Sequence, residues 1–394
     1  MKKILLATAA SSLIAGASYA DEIKLGLMLG FSGPAESLAP DMAGGVRAAV
    51  KEISESGKFL GGTTVALVEG DSTCTDAAVA SSVAERMITS DGISGLVGAL
   101  CSGATGAALT NVAVPNGMVM FSPSATSPSL TTIEDNGLFF RASPSDARQG
   151  QVMAESLLEK GVKSAAVTYT NNDYGKGLAD AFETSYTAMG GTVTINTSHE
   201  DGKADYSAEV GALASAGGDI LVVVGYIDQG GPGIIRAALD TGAFDRFHLP
   251  DAMIGDAMEE RFGTEIEGAT GQLPGSEAPG GDMLVAIGEA NGYNGTAPYA
   301  PESYDAGATI LLAMQAAGSS DPQVYKDFVM GVANAPGEVI YPGELAKGLE
   351  ILASGGEINF EGGTGLELIE PGEASGSYRE IIVKDGKITT VGYR

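Results

Sequence analysis

Ile23-Lys24-Leu25-Gly26-Leu27-Met28-Leu29 decides the fold: a short apolar run ending in the turn-forming Phe31-Ser32-Gly33-Pro34, read as a strand. Directly after it, Met42, Val46, Val50 and Ile53 recur at helical spacing and give an amphipathic helix. Thr64 to Val68 is the next strand, and Ala80, Val83, Ala84 and Met87 line one face of the next helix. Leu96-Val97 and Met118-Val119-Met120-Phe121 are further strands, separated by a helix over Ala104 to Val112. Such alternation implies a parallel sheet with helices on both faces.

The same grammar restarts after Phe140-Arg141-Ala142-Ser143-Pro144. Ala165 to Tyr169 is a strand, and Leu178, Ala181, Phe182, Ser185, Tyr186 and Met189 mark one helix face. Thr192 to Ile195, Ile220 to Val224 and Phe247-His248-Leu249 are strands, with a helix over Ile234 to Leu239 before the last of them. Two successive α/β units of similar size predict two lobes of one architecture. From Gln272-Leu273-Pro274-Gly275 onward helices dominate, over Met283 to Ala290, Ser303 to Ala317 and Val324 to Val332. The Gly/Pro-rich stretch Glu361 to Gly376 reads as a loop. The tail ends in a hairpin, Tyr378 to Val383 and Ile388 to Val391 about the turn Asp385-Gly386.

At the N-terminus, Lys2 and Lys3 precede a short apolar stretch, Ile4 to Ala17, and the small residues Ser18 and Ala20 flank Tyr19. This is the pattern of a secretory signal peptide over residues 1–20, with Asp21 opening the exported chain. The apolar stretch is too short to span a bilayer comfortably, and no Cys follows it to accept a lipid. A chain of 394 residues exceeds one ordinary core, so about two domains are expected. The formal net charge of −28 disfavours nucleic acid as a partner, since phosphate binding needs clustered Lys and Arg. Cys74 and Cys101 are the only cysteines. In an exported protein an isolated pair reads as one structural disulfide, two buried thiols being the alternative.

Chemistry is conspicuous by what the motifs lack. Neither His199 nor His248 has a ligand-like partner at helical spacing, so no metal motif is present and no metal or cofactor is expected. There is no P-loop and no G-x-S-x-G; Gly231-Pro232-Gly233 reads as a plain helix entry. The expectation is a non-catalytic protein, with an acid pair hidden in a cleft as the enzymatic rival.

In open parallel sheets ligands bind beyond the carboxyl ends of the strands. Ser102 follows one strand, where its hydroxyl is placed to cap the next helix, and Ser124-Ala125-Thr126 follow another. Both segments suit a carboxylate, with helix capping and turn formation as the alternative. Tyr174 and Tyr226 sit past strands of the second unit, each offering an apolar face and a polar tip, or else simple packing. Asp251 follows Phe247 to Leu249; it is placed to pair with an ammonium, or to cap the segment beginning near Ile254.

In their order, several segments resemble the type I periplasmic binding proteins of branched-chain amino-acid ABC transporters, the leucine/isoleucine/valine-binding family. They are Gly70-Asp71-Ser72-Thr73-Cys74, Gly98 to Thr105, Ser122 to Thr131, Phe140-Arg141 with Asp146 and Gln149-Gly150, Asp173 to Leu178, Gly225-Tyr226 and Tyr304-Asp305-Ala306. The resemblance covers nearly the whole exported chain and implies the Cys74–Cys101 pairing. It implies that Ser102 and Thr126, with backbone near Ser124 and Ala125, hold a ligand carboxylate and part of its ammonium. Tyr174 and Tyr226 would close from the second lobe, and Asp251 would face the ammonium.

The fold implied is two doubly wound α/β lobes, residues 21–141 plus 275–358 and residues 142–274 plus 359–394. Three crossovers join them, near Arg141 to Pro144, Gln272 to Gly275 and Ile358 to Glu361, and the lobes close about that hinge. The implied role is a monomeric periplasmic receptor that hands an amino acid, branched-chain or a related small carboxylate, to an ABC permease. The rival within the same fold is a sensor of amides, urea or aromatic acids. Leu38 stands where relatives carry an aromatic, Asp251 is shorter than Glu, and the tail after Glu361 is unlike the family's, so the ligand is the least constrained feature.

Overall fold

The computed structural model describes residues 22–394, so the expected signal peptide lies outside the described residues. Ten strands form the backbone of two sheets: β1 Glu22–Leu29, β2 Thr64–Asp71, β3 Gly95–Gly98, β4 Met120–Ser122 and β5 Phe139–Arg141 in the first, and β6 Ser164–Thr170, β7 Thr192–His199, β8 Ile220–Val224, β9 Phe247–Pro250 and β10 Thr270–Pro274 in the second. Both sets run parallel and in the same spatial order, β2-β1-β3-β4-β5 and β7-β6-β8-β9-β10. In this doubly wound order the connections reverse direction beside β1 and β6, which opens a crevice at the carboxyl ends. The duplicated grammar of the sequence is thus a duplicated topology.

Burial explains why the strands read as runs rather than alternations. Every residue of β8 is buried, as helices cover both faces of a parallel sheet. In the first lobe the helix Ala300–Ala317 is buried almost along its length and lies against the helix Ala39–Ser56. Gly45 permits that approach, since a Cβ there would stand 2.5 Å from the Ala300 carbonyl oxygen. The expected helix over Val324 to Val332 is broken into three short turns between Pro322 and Val332.

A correction concerns the third crossover. Two strands, β11 Glu338–Ile340 and β12 Ile358–Phe360, pair with each other in a small separate sheet. Within the stretch read as a loop, β13 Leu368–Ile369 and β14 Glu373–Ala374 form an antiparallel pair, and β14 extends the first sheet beside β5. Only then do β15 Tyr378–Lys384 and β16 Lys387–Tyr393 join the second sheet, antiparallel beside β10. The crossing therefore lies at residues 375–377, not at Ile358 to Glu361, and residues 359–374 lie with the first lobe. Strands of two residues carry too little pattern to be read from sequence. The terminal hairpin has the expected turn, with Asp385 and Gly386 both at positive φ.

Cys74 and Cys101 form a disulfide with a sequence separation of 27, joining the loops after β2 and β3. In the loop-entropy picture such a bridge contributes about 3 kcal/mol. The two histidines are internal: His199 Nδ1 lies 2.9 Å from Thr168 Oγ1, and His248 Nδ1 lies 2.9 Å from Thr270 Oγ1. Burial pushes both imidazoles down to about 4. Unfolding returns them to about 6.5, so the stability they confer is complete above that pH and is lost as pH falls toward 4. Replacing both by Gln should therefore flatten the fall in stability between pH 6.5 and 4.5, measured by denaturant unfolding. Parallel profiles for the variant and the unmodified protein would contradict this.

Candidate functional site

The residues singled out in the sequence all follow carboxyl ends of strands. Ser102 follows β3, Ser124 to Thr126 follow β4, Tyr174 follows β6, Tyr226 follows β8 and Asp251 follows β9. Gly98 lets the β3 end lie tight on its neighbour: its φ is +136°, and a Cβ would meet the Met28 carbonyl oxygen at 2.1 Å.

Two local roles differ from expectation. Ser102 is not a helix cap. The extended backbone of Cys101 starts the helix Ser102–Ala108 one residue earlier, and the Ser102 hydroxyl accepts from the Ser127 N–H at 3.1 Å. Asp251 does not cap a helix near Ile254 either; it opens a short turn, Asp251–Met253, and the next helix begins at Asp256. The Ser124 and Ala125 amides both donate to the Ser122 hydroxyl, at 3.3 and 2.9 Å. The Ser124 hydroxyl donates to the Leu100 carbonyl at 2.9 Å. These two residues shape the turn, while the Thr126 hydroxyl is buried without a hydrogen-bond partner among the described residues.

Asp251 is the centre of a buried cluster. Its Oδ1 accepts from the Tyr174 hydroxyl at 2.7 Å and from Gln149 Nε2 at 3.1 Å, and its Oδ2 accepts from the Tyr299 hydroxyl. Tyr174 stacks on Tyr226, ring centroids 5.3 Å apart, and the Tyr226 hydroxyl accepts from Asn172 at 3.5 Å. Tyr299 was not anticipated. It immediately precedes the helix Ala300–Ala317 of the first lobe at φ +63°, a conformation that costs a non-glycine residue about 1–2 kcal/mol. Its only trace in the sequence is a tyrosine framed by Pro298 and Pro301.

Asp146 is the second residue that the sequence left without a role. Fully buried, it has neither carboxylate oxygen hydrogen-bonded among the described residues. Burial first, and then the Asp251 charge, push its carboxyl well above the usual range, while the Thr126 hydroxyl, close but outside hydrogen-bonding geometry, and the Arg141 charge pull the other way. Burial likewise raises Asp251 against the donors that surround it. Two carboxyl groups thus share a buried site with a single guanidinium near, an arrangement that favours an incoming cation.

Contacts close the lobes around this cluster. Tyr299 reaches Asp251 from the opposite lobe, and the Ser127 hydroxyl donates to the Asp173 carbonyl at 3.1 Å. Farther out, the Asp228 N–H donates to the Pro34 carbonyl and the Ser37 N–H to the Asp228 carboxylate, at 3.0 and 2.8 Å. Leu38 is buried beside Gly255 and Ile227, which belong to the opposite lobe, and lines with them a small cavity of about 200 Å³. Among the described residues no cluster of three or more His, Cys, Asp or Glu is placed to hold a metal, and no helix is long and apolar enough to cross a membrane.

Residues 22–330 match the family model described as periplasmic binding protein. The chain belongs to the periplasmic binding protein family. Leu/Ile/Val-binding protein homolog 1 of Brucella melitensis is 29% identical over 325 residues, covering 81% of this chain and 84% of its own. A leucine binding protein from Thermotoga maritima superposes with a TM-score of 0.79 at 22% identity, over 94% of this chain and 98% of that one. A solute binding protein from R. palustris, solved with benzoate, superposes with a TM-score of 0.77 at 18% identity, over 94% of this chain and 96% of its own. The two-lobed architecture read from this binding protein's sequence is therefore shared with a protein named for leucine binding and with one solved with benzoate.

Proposed function

We propose that this binding protein is an exported, monomeric receptor that closes its two lobes on a free amino acid, branched-chain or similar, and presents it to an ABC permease. One observation carries the ligand class: the buried pair Asp251 and Asp146, beside the Thr126 hydroxyl and beneath two tyrosines, is complementary to an ammonium. Asp251 would pair with the ammonium, and Tyr174, Tyr226 and Tyr299 would enclose the aliphatic part. Ser102 and Thr126 would donate hydroxyl hydrogens to the carboxylate, with the Ser124-Ala125 turn fixing their spacing. Such a site acts by binding, without catalysis. The relatives support the reading, being named for leucine, isoleucine and valine.

A second reading follows from the benzoate-bound neighbour. A simple aromatic acid would bring a further carboxylate beside two buried carboxyl groups and offers no cation to offset them, so the acidic cluster disfavours it. A thermal-shift screen separates the two. A ligand at about 100 times its dissociation constant adds about 2.7 kcal/mol of stability. Leucine, isoleucine and valine should raise the melting temperature, while benzoate and 4-hydroxybenzoate leave it unmoved. The reverse order would overturn the proposal.

A further inference from the structure

A second cavity, of about 400 Å³, lies at the hinge rather than among the five strand ends. Its walls come from both lobes and from the crossover at Pro274 to Ser276; Glu302 and Thr364 contribute from the first lobe, and Arg379, on β15, from the second. Tyr299 lines it too, so one residue borders both this cavity and the Asp251 cluster. Glu302 also borders a smaller adjoining cavity of about 250 Å³, lined by the residues of the third crossing.

A carboxyl group and a guanidinium face this space without meeting. Glu302 is 3% exposed, and among the described residues its carboxyl forms no ion pair. Burial raises its carboxyl to about 8, and Arg379 is the nearby cation that opposes the rise. Arg379 forms no ion pair among the described residues either, and its Nε is buried without a partner. Glu277 and Asp282, both exposed, add negative charge at the cavity wall. A buried carboxyl group and a half-buried guanidinium that share one cavity but do not meet invite a molecule carrying the complementary pair.

We propose that the hinge cavity is a second ligand site, which takes a small zwitterion with its carboxylate on Arg379 and its ammonium on Glu302. Because Glu302 and Arg379 belong to different lobes, the bound molecule bridges the hinge. The two groups it uses, Glu302 and Arg379, are not those of the cleft reading, although Tyr299 and the end of β10 border this cavity too.

Calorimetric titration with glycine, β-alanine and 4-aminobutanoate tests it, using the unmodified protein and the variants Asp251→Asn, Glu302→Gln and Arg379→Gln. At least one probe should saturate at one per chain, with affinity unchanged in Asp251→Asn and lowered tenfold or more in both Glu302→Gln and Arg379→Gln. Butylamine and butanoate, each with only one of the charges, should bind at least tenfold more weakly than that probe. Arg379 is only half-buried on a sheet strand, so its variant reports even where Glu302→Gln fails to fold. The proposal is overturned if no probe saturates, if binding vanishes in Asp251→Asn, or if Arg379→Gln binds as the unmodified protein does.

Discussion

Asp251→Asn should lower the affinity for leucine about a hundredfold while leaving the ligand-free protein at least as stable. The two effects have one origin. In the folded chain Asp251 is buried beside Asp146, and both carboxyl groups are raised by loss of water, Asp146 further by the charge of its neighbour. An amide in place of the carboxylate relieves that repulsion. Its one oxygen can still accept from Tyr299, so the link between the lobes persists, while its NH2 group faces the Tyr174 hydroxyl and the otherwise unpartnered Gln149 Oε1, both able to accept from it. A ligand ammonium, by contrast, loses its charged partner, and truncating one member of a buried, hydrogen-bonded charge pair costs about 2–5 kcal/mol. At 1.4 kcal/mol per tenfold, a loss near 3 kcal/mol gives the stated factor. Denaturant unfolding without ligand and calorimetric titration with it measure the two quantities separately. Equal affinity in the variant would remove Asp251 from the site, and a large loss of ligand-free stability would make it a structural group.

Arg141→Met should cost about 3–5 kcal/mol of ligand-free stability, the largest single-residue effect expected outside the hydrophobic core. The guanidinium is 1% exposed and fully engaged. Its Nη1 donates to the Ala125 and Ser127 carbonyls at 3.2 and 3.0 Å, and its Nη2 donates to Thr131 Oγ1 at 2.7 Å and to the Glu373 carboxylate. Removing one partner of a buried pair leaves an uncompensated charge, here Glu373, and takes a donor from two carbonyls, of which Ser127 alone keeps another, the Leu130 N–H. The same substitution takes away the one cation that offsets Asp146, and it frees the turn that carries Thr126. Leucine binding should weaken with stability. Glu373→Gln leaves Arg141 its three neutral acceptors, so it should cost less than Arg141→Met in the same unfolding measurement. Losses below 1 kcal/mol for Arg141→Met would contradict the assigned role.

The large elements were legible because burial writes them in long patterns. Ile220 to Val224 is an unbroken apolar run and is buried throughout, and Met42, Val46, Val50 and Ile53 are all buried on the helix Ala39–Ser56. The strand ends followed, and with them Ser102, Thr126, Tyr174, Tyr226 and Asp251, since the topology itself says where ligands meet a parallel sheet. What escaped depends on contacts between distant segments. Tyr299 reaches Asp251 across the lobes, 48 residues away in sequence. Asp146 looks like an ordinary first-turn helix acid, and Ser145 supplies the cap beside it. Only the fold brings it near Asp251. The third crossing was missed for a different reason: β13 and β14 are two residues each, and their pairing with the first sheet is fixed by Glu373 opposite Arg141, not by any local periodicity.

A buried acidic cluster that selects its ligand by an ammonium must reject the same molecule without one. A matched pair isolates that group: leucine and 4-methylpentanoate have the same carbon skeleton and carboxylate, and only leucine carries the ammonium. Isothermal titration of the unmodified protein at pH 7 should give one-to-one binding of leucine, with 4-methylpentanoate at least a hundredfold weaker. Equal affinities, or tighter binding of 4-methylpentanoate, would show that the acidic cluster does not select for the ammonium.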